Sequence, residues 1–235
     1  MKTLIKSIFV LTIATTLFAC KKENADKITD EIRKTEIQKK QIQDIIPTPY
    51  LDSLKKLGLN INTGISPINV EGYYAVNPLL LLSTNIPNDF KIGHRFTDAR
   101  LKLSNQDENF SIKLIGKNFL ATSDTSIVTA ISGIDKDITI YGKVKSFKNG
   151  KTADFAIIIS CTLENKTFKN FKYGLICTSN KNPSSDANFI KEGQGRVIHE
   201  SDNSSTIILE SDFLATLPNN PFLINTSSGL IDKIK

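Results

Sequence analysis

Apolar residues fall at every second position along most of the chain after Val70. Phe110-Ser111-Ile112-Lys113-Leu114 alternates without interruption, and so does Thr139-Ile140-Tyr141-Gly142-Lys143-Val144-Lys145. A period of two sends successive side chains to opposite faces of a strand, so these segments read as β-strands. Ala153 to Leu163 carries Phe155, Ile157, Ile159, Cys161 and Leu163 on one face, and Ala156, Ile158, Ser160 and Thr162 on the other. Phe171, Tyr173, Leu175 and Cys177 repeat the pattern. Asn149-Gly150 is a two-residue hairpin signal, because both residues tolerate positive φ. Gly195–Glu200 and Ser205–Glu210 read as a last hairpin around Asp202-Asn203. With Arg100–Ser104 and Ile127–Ser132 this makes eight or nine short strands. The expected fold is all-β, an antiparallel up-and-down barrel of about eight strands, since closure removes exposed edges. A two-sheet sandwich is the alternative.

Before Val70 the period changes. Ile28, Ile32, Thr35, Lys39, Ile42 and Ile46 follow a 4-3-4-3-4 spacing. Such a seam fits a helix reaching roughly 30 Å from one end to the other. The alternative is a solvated, partly disordered tether. Pro47-Thr48-Pro49 ends this segment. Tyr50 to Leu57 then has helical apolar spacing with Gly58 as a stop. It reads as a short helix covering one end of the β domain. The organisation is therefore a leader over 1–19, a tether over 20–46 and a β domain over 47–235. Pro218-Asn219-Asn220-Pro221 argues against further strand pairing, which leaves an irregular C-terminal segment.

The leader places Lys2 and Lys6 ahead of a short apolar stretch, Ile8 to Leu17, and then Leu17-Phe18-Ala19-Cys20. This resembles the lipobox of bacterial lipoproteins. The resemblance implies cleavage before Cys20 and acylation of that residue with palmitate-like chains. Several acyl chains on one residue anchor a protein stably. The implied location is the cell envelope, lipid-anchored to the outer membrane on its periplasmic or cell-surface face. Cleavage would leave 235 − 19 = 216 residues and lower the net charge from +6 to 28 − 24 = +4. The basic residues are scattered and form no cluster interleaved with aromatics, so nucleic acid is not an expected partner. Anionic head groups would suit the mild positive bias.

The run Tyr50-Leu51-Asp52-Ser53-Leu54, Gly58-Leu59, Gly64, and Pro67-Ile68-Asn69-Val70-Glu71-Gly72-Tyr73-Tyr74 resembles a group of uncharacterised Bacteroidetes lipoproteins. Phe90-Lys91-Ile92-Gly93, Leu103-Ser104-Asn105-Gln106 and Gly193-Gln194-Gly195-Arg196-Val197 extend the likeness. That group is similar to calycins, the barrel superfamily that includes lipocalins. The resemblance implies that Gly72 and Tyr74 close the barrel base beneath Arg196, with Tyr74 where lipocalins carry Trp. Glu71 is then either a buried partner of Arg196 or an exposed strand residue.

Candidate chemistry is sparse. The chain has two His, three Cys, one Met and no Trp. His94 or His199 paired with Asp98 or Glu200 is the one acid–base arrangement open to it. Cys161 and Cys177 read as core residues on neighbouring strands or as a disulfide, and poorly as a metal site without a nearby His. Asp135-Lys136-Asp137 and Glu200-Ser201-Asp202-Asn203 read as turns rather than calcium loops. No metal and no cofactor is expected, and no ligand-binding residue is singled out. The leading expectation is a non-catalytic, membrane-anchored binding module for a small apolar or amphipathic ligand. Its alternative is a structural lipoprotein that docks a protein partner at the envelope.

Overall fold

The structure is a computed structural model that describes residues 26–119, 124–125, 128–183 and 188–217. Cys20, its leader and the apolar segments after Pro218 lie outside the described residues. The chain divides into two compact units, residues 1–37 and 38–235. In the first, residues 26–37 are helical, and Asp30 accepts from Arg33 at 2.6 Å and from Lys34 at 2.9 Å. Of the two alternatives for this segment, the helix is the one formed; it runs over 26–45 (α1). The β unit begins at Gln38, ahead of Pro47, so the last turns of α1 belong to it.

The β unit is built from two sheets. The larger has the order β1 (Ile65–Pro67), β8 (Val128–Asp135), β9 (Asp137–Lys148), β10 (Lys151–Glu164), β11 (Thr167–Ser179), β12 (Gly195–Glu200), β3 (Leu79–Thr84), β4 (Arg95–Phe96). A short strand, β13 (Ser205–Thr206), also pairs with β11. The smaller sheet has the order β2 (Gly72–Val76), β5 (Ala99–Ser104), β6 (Lys113–Lys117), β7 (Asp124–Thr125). All pairs are antiparallel except β1 with β8. The protein is thus mostly β, as its alternation implies, but no continuous ladder closes the described strands into one barrel.

The long central hairpin follows the expected chemistry. Asn149 and Gly150 both take positive φ, 51° and 74°, and Lys148 faces Lys151 across the turn. Asp135-Lys136-Asp137 makes the tight β8–β9 turn, where Lys136 pairs with Glu164 at 2.8 Å. Two expected strands are different. Phe110 has φ 63°, and β6 starts only at Lys113, because Asp107 Oδ1 captures the N–H groups of Asn109 and Ser111 in a turn. Ser205–Glu210 does not pair with β12. Its first two residues pair with β11, and Glu210 opens a helix, α3 (Glu210–Leu214).

Three layers result. Between the sheets lies the main core, with Tyr74, Leu101 and Leu114 from the small sheet meeting Phe155, Phe168, Phe171, Tyr173 and Ile198 from the large one. The outer face of the large sheet is buried too. Ala130, Tyr141, Ala156, Ile158, Ile176 and Val197 pack with Ile45, Ile46, Leu54 and Leu59. Ile45 closes α1, and Leu54 belongs to α2 (Thr48–Lys56), which ends at Gly58 with φ 91°. The short helix therefore covers a sheet face rather than an end. Gly174 on β11 permits this contact, since a Cβ there would stand 2.8 Å from Leu59 and 2.9 Å from Leu54.

Candidate functional site

Antiparallel pairing brings three connections to one end of the large sheet. They are the β3–β4 loop (85–94), the β9–β10 turn and the β11–β12 loop (180–194). Thr84 sits opposite Arg196, and Asp154 opposite Ser179, so all three leave the sheet on the same side. Asparagine amides then tie them together. Asn85 Nδ2 donates to Gly193 O at 2.9 Å, and Asn85 Oδ1 accepts from Gly195 N at 2.7 Å. Asn149 Nδ2 donates to Asn188 Oδ1 at 2.8 Å, and Asn182 Nδ2 to Thr152 O at 2.9 Å. A short amide carries both donor and acceptor, which lets it stand in for a missing backbone partner. The Phe189 ring packs 6.0 Å from that of Phe155, which seats the β11–β12 loop on the core.

Beneath this end lies Arg196, wholly buried. Its Nε donates to Asp89 Oδ2 at 2.8 Å and its NH2 group to Asp89 Oδ1 at 2.5 Å. Thr84 Oγ1 adds a third bond to Asp89 at 2.7 Å. Burial alone would raise the Asp89 carboxyl. The hydrogen bonds and charge of Arg196, with Thr84, outweigh it and hold the group below its ordinary range. Planar, bidentate pairing is what guanidinium does best, and it neutralises two charges that burial would otherwise leave uncompensated. The same guanidinium lies 5.4 Å from the centre of the Phe90 ring. Phe90 stacks on His94 at 4.2 Å, and Phe96 meets His94 edge-on at 5.0 Å. The β3–β4 loop is thus pinned at Asp89 and stiffened by an aromatic stack.

The residues singled out from the sequence do not assemble into one site. Tyr74 stacks on Phe168 at 4.1 Å and donates its hydroxyl to Val70 O at 2.9 Å; burial pushes it up to about 12. Gly72 lies against it, since a Cβ there would come within 3.3 Å of the Tyr74 ring. Arg196 sits instead over Phe90, so the expected barrel base of Gly72, Tyr74 and Arg196 is not formed. Glu71 is exposed and accepts from Gln106 N at 2.8 Å, which leaves the Arg196 partnership to Asp89. Register decides this: Arg196 opposes Thr84, and the chain turns back over it five residues later.

Cys161 and Cys177 are free and buried. Cys177 pairs with Phe155, six residues along β10 from Cys161. At about 3.3 Å per residue the two are roughly 20 Å apart along the strands, too far for a disulfide. Burial raises both thiols, that of Cys177 to about 12. Among the described residues neither His is bonded to a carboxylate. His94 lies in the aromatic stack, Asp98 pairs with Arg95 at 3.4 Å, and His199 faces Lys172 and Leu80 across its strand. Glu200 is buried, its Oε1 accepts from Asn77 N at 3.1 Å, and burial raises its carboxyl. Also among the described residues, no group of His, Cys, Asp or Glu has metal-binding geometry. Comparison with family models, with curated proteins and with solved structures found no match for this chain.

The loop cluster had only a weak sequence signal. Asn85, Asn88 and Asp89 flank Pro87 and read as an ordinary turn. Nothing in their spacing identifies Asp89 as the partner of an arginine 107 residues away.

Proposed function

We propose that this protein is a non-catalytic lipoprotein of the cell envelope, anchored through acylated Cys20, whose β domain docks a partner at the membrane. The observation that carries the choice of docking is the filled space between the sheets. Phe155, Phe168, Phe171, Tyr173 and Phe189 occupy it, where an open calycin would hold its ligand. The described loop residues that asparagine amides tie together at one end of the large sheet supply a preformed surface, and preformed surfaces bind at lower entropic cost.

A ligand-holding, calycin-like barrel is the second reading. Two contacts at the seams between the sheets favour it: the Tyr74–Ile207 bridge and the bond from Ile131 N to Phe110 O at 2.8 Å. Mass spectrometry separates the two. The mature protein extracted from membranes is expected to carry acyl chains on Cys20, and Cys20→Ser to release it. The unlipidated chain is expected to stay bare in native spectra after incubation with lipid extract. A discrete extra mass lost on denaturation would favour the barrel reading instead.

A further inference from the structure

We infer that the return of the chain from β12 to β13 is a proton-operated latch: Glu200 in its neutral form holds it shut, and ionised Glu200 lets residues 205–214 lift from the β domain. Glu200 ends β12 at the far end of the sheet from the asparagine-tied loops. It shares the inward face of that strand with Ile198 and Arg196, so its side chain enters the space between the sheets. Arg196 has Asp89 as a counter-charge, whereas Glu200 has none. It is 5% accessible. Oε1 accepts from Asn77 N at 3.1 Å, but among the described residues Oε2 has no partner. Neither has the Oγ of Ser205, which is fully buried where β13 pairs with β11. Burying a charged, unpaired oxygen costs far more than burying a neutral one.

Among the described residues no cation bonds to this carboxyl. From β10 comes Cys161, whose thiol burial raises, with Asp137 and Glu200 adding to the rise. β3 sets Leu79 opposite, and Tyr74 of β2 spends its hydroxyl on Val70 O. Lys169 of β11 reaches the same turn but donates to Ser204 Oγ at 3.4 Å. The turn itself brings Asp202, a second negative charge. Burial therefore raises the Glu200 carboxyl, against the opposing pull of the Ser205 hydroxyl and the N–H groups of Asn77 and Ser204. The cost of ionising it sets in above the ordinary glutamate range and grows until pH passes the folded value. The element that yields is β13, which is two residues long and meets β11 only at Thr167 and Phe168. Lifting it uncovers the edge of β2, which the Tyr74–Ile207 bridge and the bond from Ile208 N to Tyr73 O at 2.8 Å now cover.

The test is hydrogen exchange read by mass spectrometry on the chain from residue 20 with Cys20→Ser, with and without Glu200→Gln. Glutamine keeps the acceptor for Asn77 N and has an amide N–H to give Ser205 Oγ, so it holds the latch in its neutral form. Peptides over 201–214 are expected to exchange at like rates in both proteins near pH 5. At pH 8 they are expected to exchange about ten-fold faster where Glu200 is present. Comparing the two proteins at each pH cancels the intrinsic pH dependence of exchange. Peptides from β9 and β10 should show no such divergence. Glu200→Gln should also raise the denaturant midpoint at pH 8 and leave it little changed at pH 5. A ratio over 201–214 that stays flat with pH would overturn the inference. So would faster exchange of the Glu200→Gln protein at every pH, which reduces the residue to a structural bond. Divergence spread equally over β9 and β10 would overturn it too, because the whole domain and not the latch would then be responding. If Glu200→Gln does not fold, the parent chain decides alone. Its exchange over 201–214, corrected for the intrinsic rate, must speed up with pH relative to β10, and a constant ratio sinks the latch.

Discussion

The two sheets solve the same problem under different conditions. The large sheet is dry on both faces, with the small sheet on one side and α2 and the end of α1 on the other. β10 shows the consequence: Phe155 to Ile159 are each fully buried, whichever way they point. The small sheet is dry on one face only. Its outward positions hold Tyr73, Arg100, Lys102 and Lys117, and Arg100 directly opposes Lys117. Like charges face to face destabilise a sheet. Here carbonyls at the end of α3 answer them. Arg100 donates to Asp212 O and Ala215 O, and Lys117 to Leu214 O at 3.0 Å. Phe213 packs 5.4 Å from Tyr73, and the Tyr73 hydroxyl donates to Glu210 at 2.6 Å. The large sheet is held by area, and the outer face of the small sheet by a polar strap. Buried apolar area does not respond to pH or to charge screening, whereas a strap of exposed charges does.

The comparison can be broken at several points. Asp89→Ala should have the largest effect, about 3–5 kcal/mol, because it leaves Arg196 buried without a counter-charge. Denaturant unfolding measures it. Recovery in the double variant Asp89→Leu with Arg196→Met would show that the loss came from the orphaned charge. The pH dependence follows from the lowered Asp89 carboxyl. Its contribution is present above the unfolded value and lost as pH falls through the folded one. The gap between wild type and Asp89→Asn should therefore be widest near neutrality and close below about pH 4.

Ile158→Ala comes next, at about 2–4 kcal/mol, since this side chain is fully buried on the helix-facing side. A cost under about 0.5 kcal/mol, the range of surface sites, would show that the helices do not seal that face. Phe213→Ala should cost about 1–2 kcal/mol, and more at low salt, as the strap lifts from the small sheet. Hydrogen exchange in β5 and β6 reads this directly. Smallest is the thiol test. Neither Cys161 nor Cys177 should react with a thiol reagent at pH 8 in the native state, and both should react in denaturant. Reduction beforehand should not change the count of reactive thiols; an increase would reinstate the disulfide.

How much of this was legible depended on whether water touches the element. Strands with one wet face, such as Ala99–Ser104, announce themselves by alternation. Leu79–Thr84 begins as four leucines and gives no period; it is nevertheless a strand between β12 and β4. Phe110-Ser111-Ile112 alternates yet joins no strand, because the Asp107 carboxylate takes the N–H of Ser111 and the Thr129 hydroxyl that of Ile112. Ser205–Glu210 looked like a hairpin arm. Its later residues instead follow the long-range pull of Tyr73 and Lys102 on Glu210.

The sequence by itself determined the local alphabet: β-rich content from alternation, the central hairpin from Asn149-Gly150, and the stop of α2 at Gly58. Each is a preference of a few adjacent residues, so a short window carries it. Tertiary structure alone decided the split into two sheets, the separation of Cys161 from Cys177, and the exchange of Glu71 for Asp89 beside Arg196. Those outcomes depend on register between strands far apart in the chain. Register is set by the summed burial of whole faces, which no single stretch of sequence records.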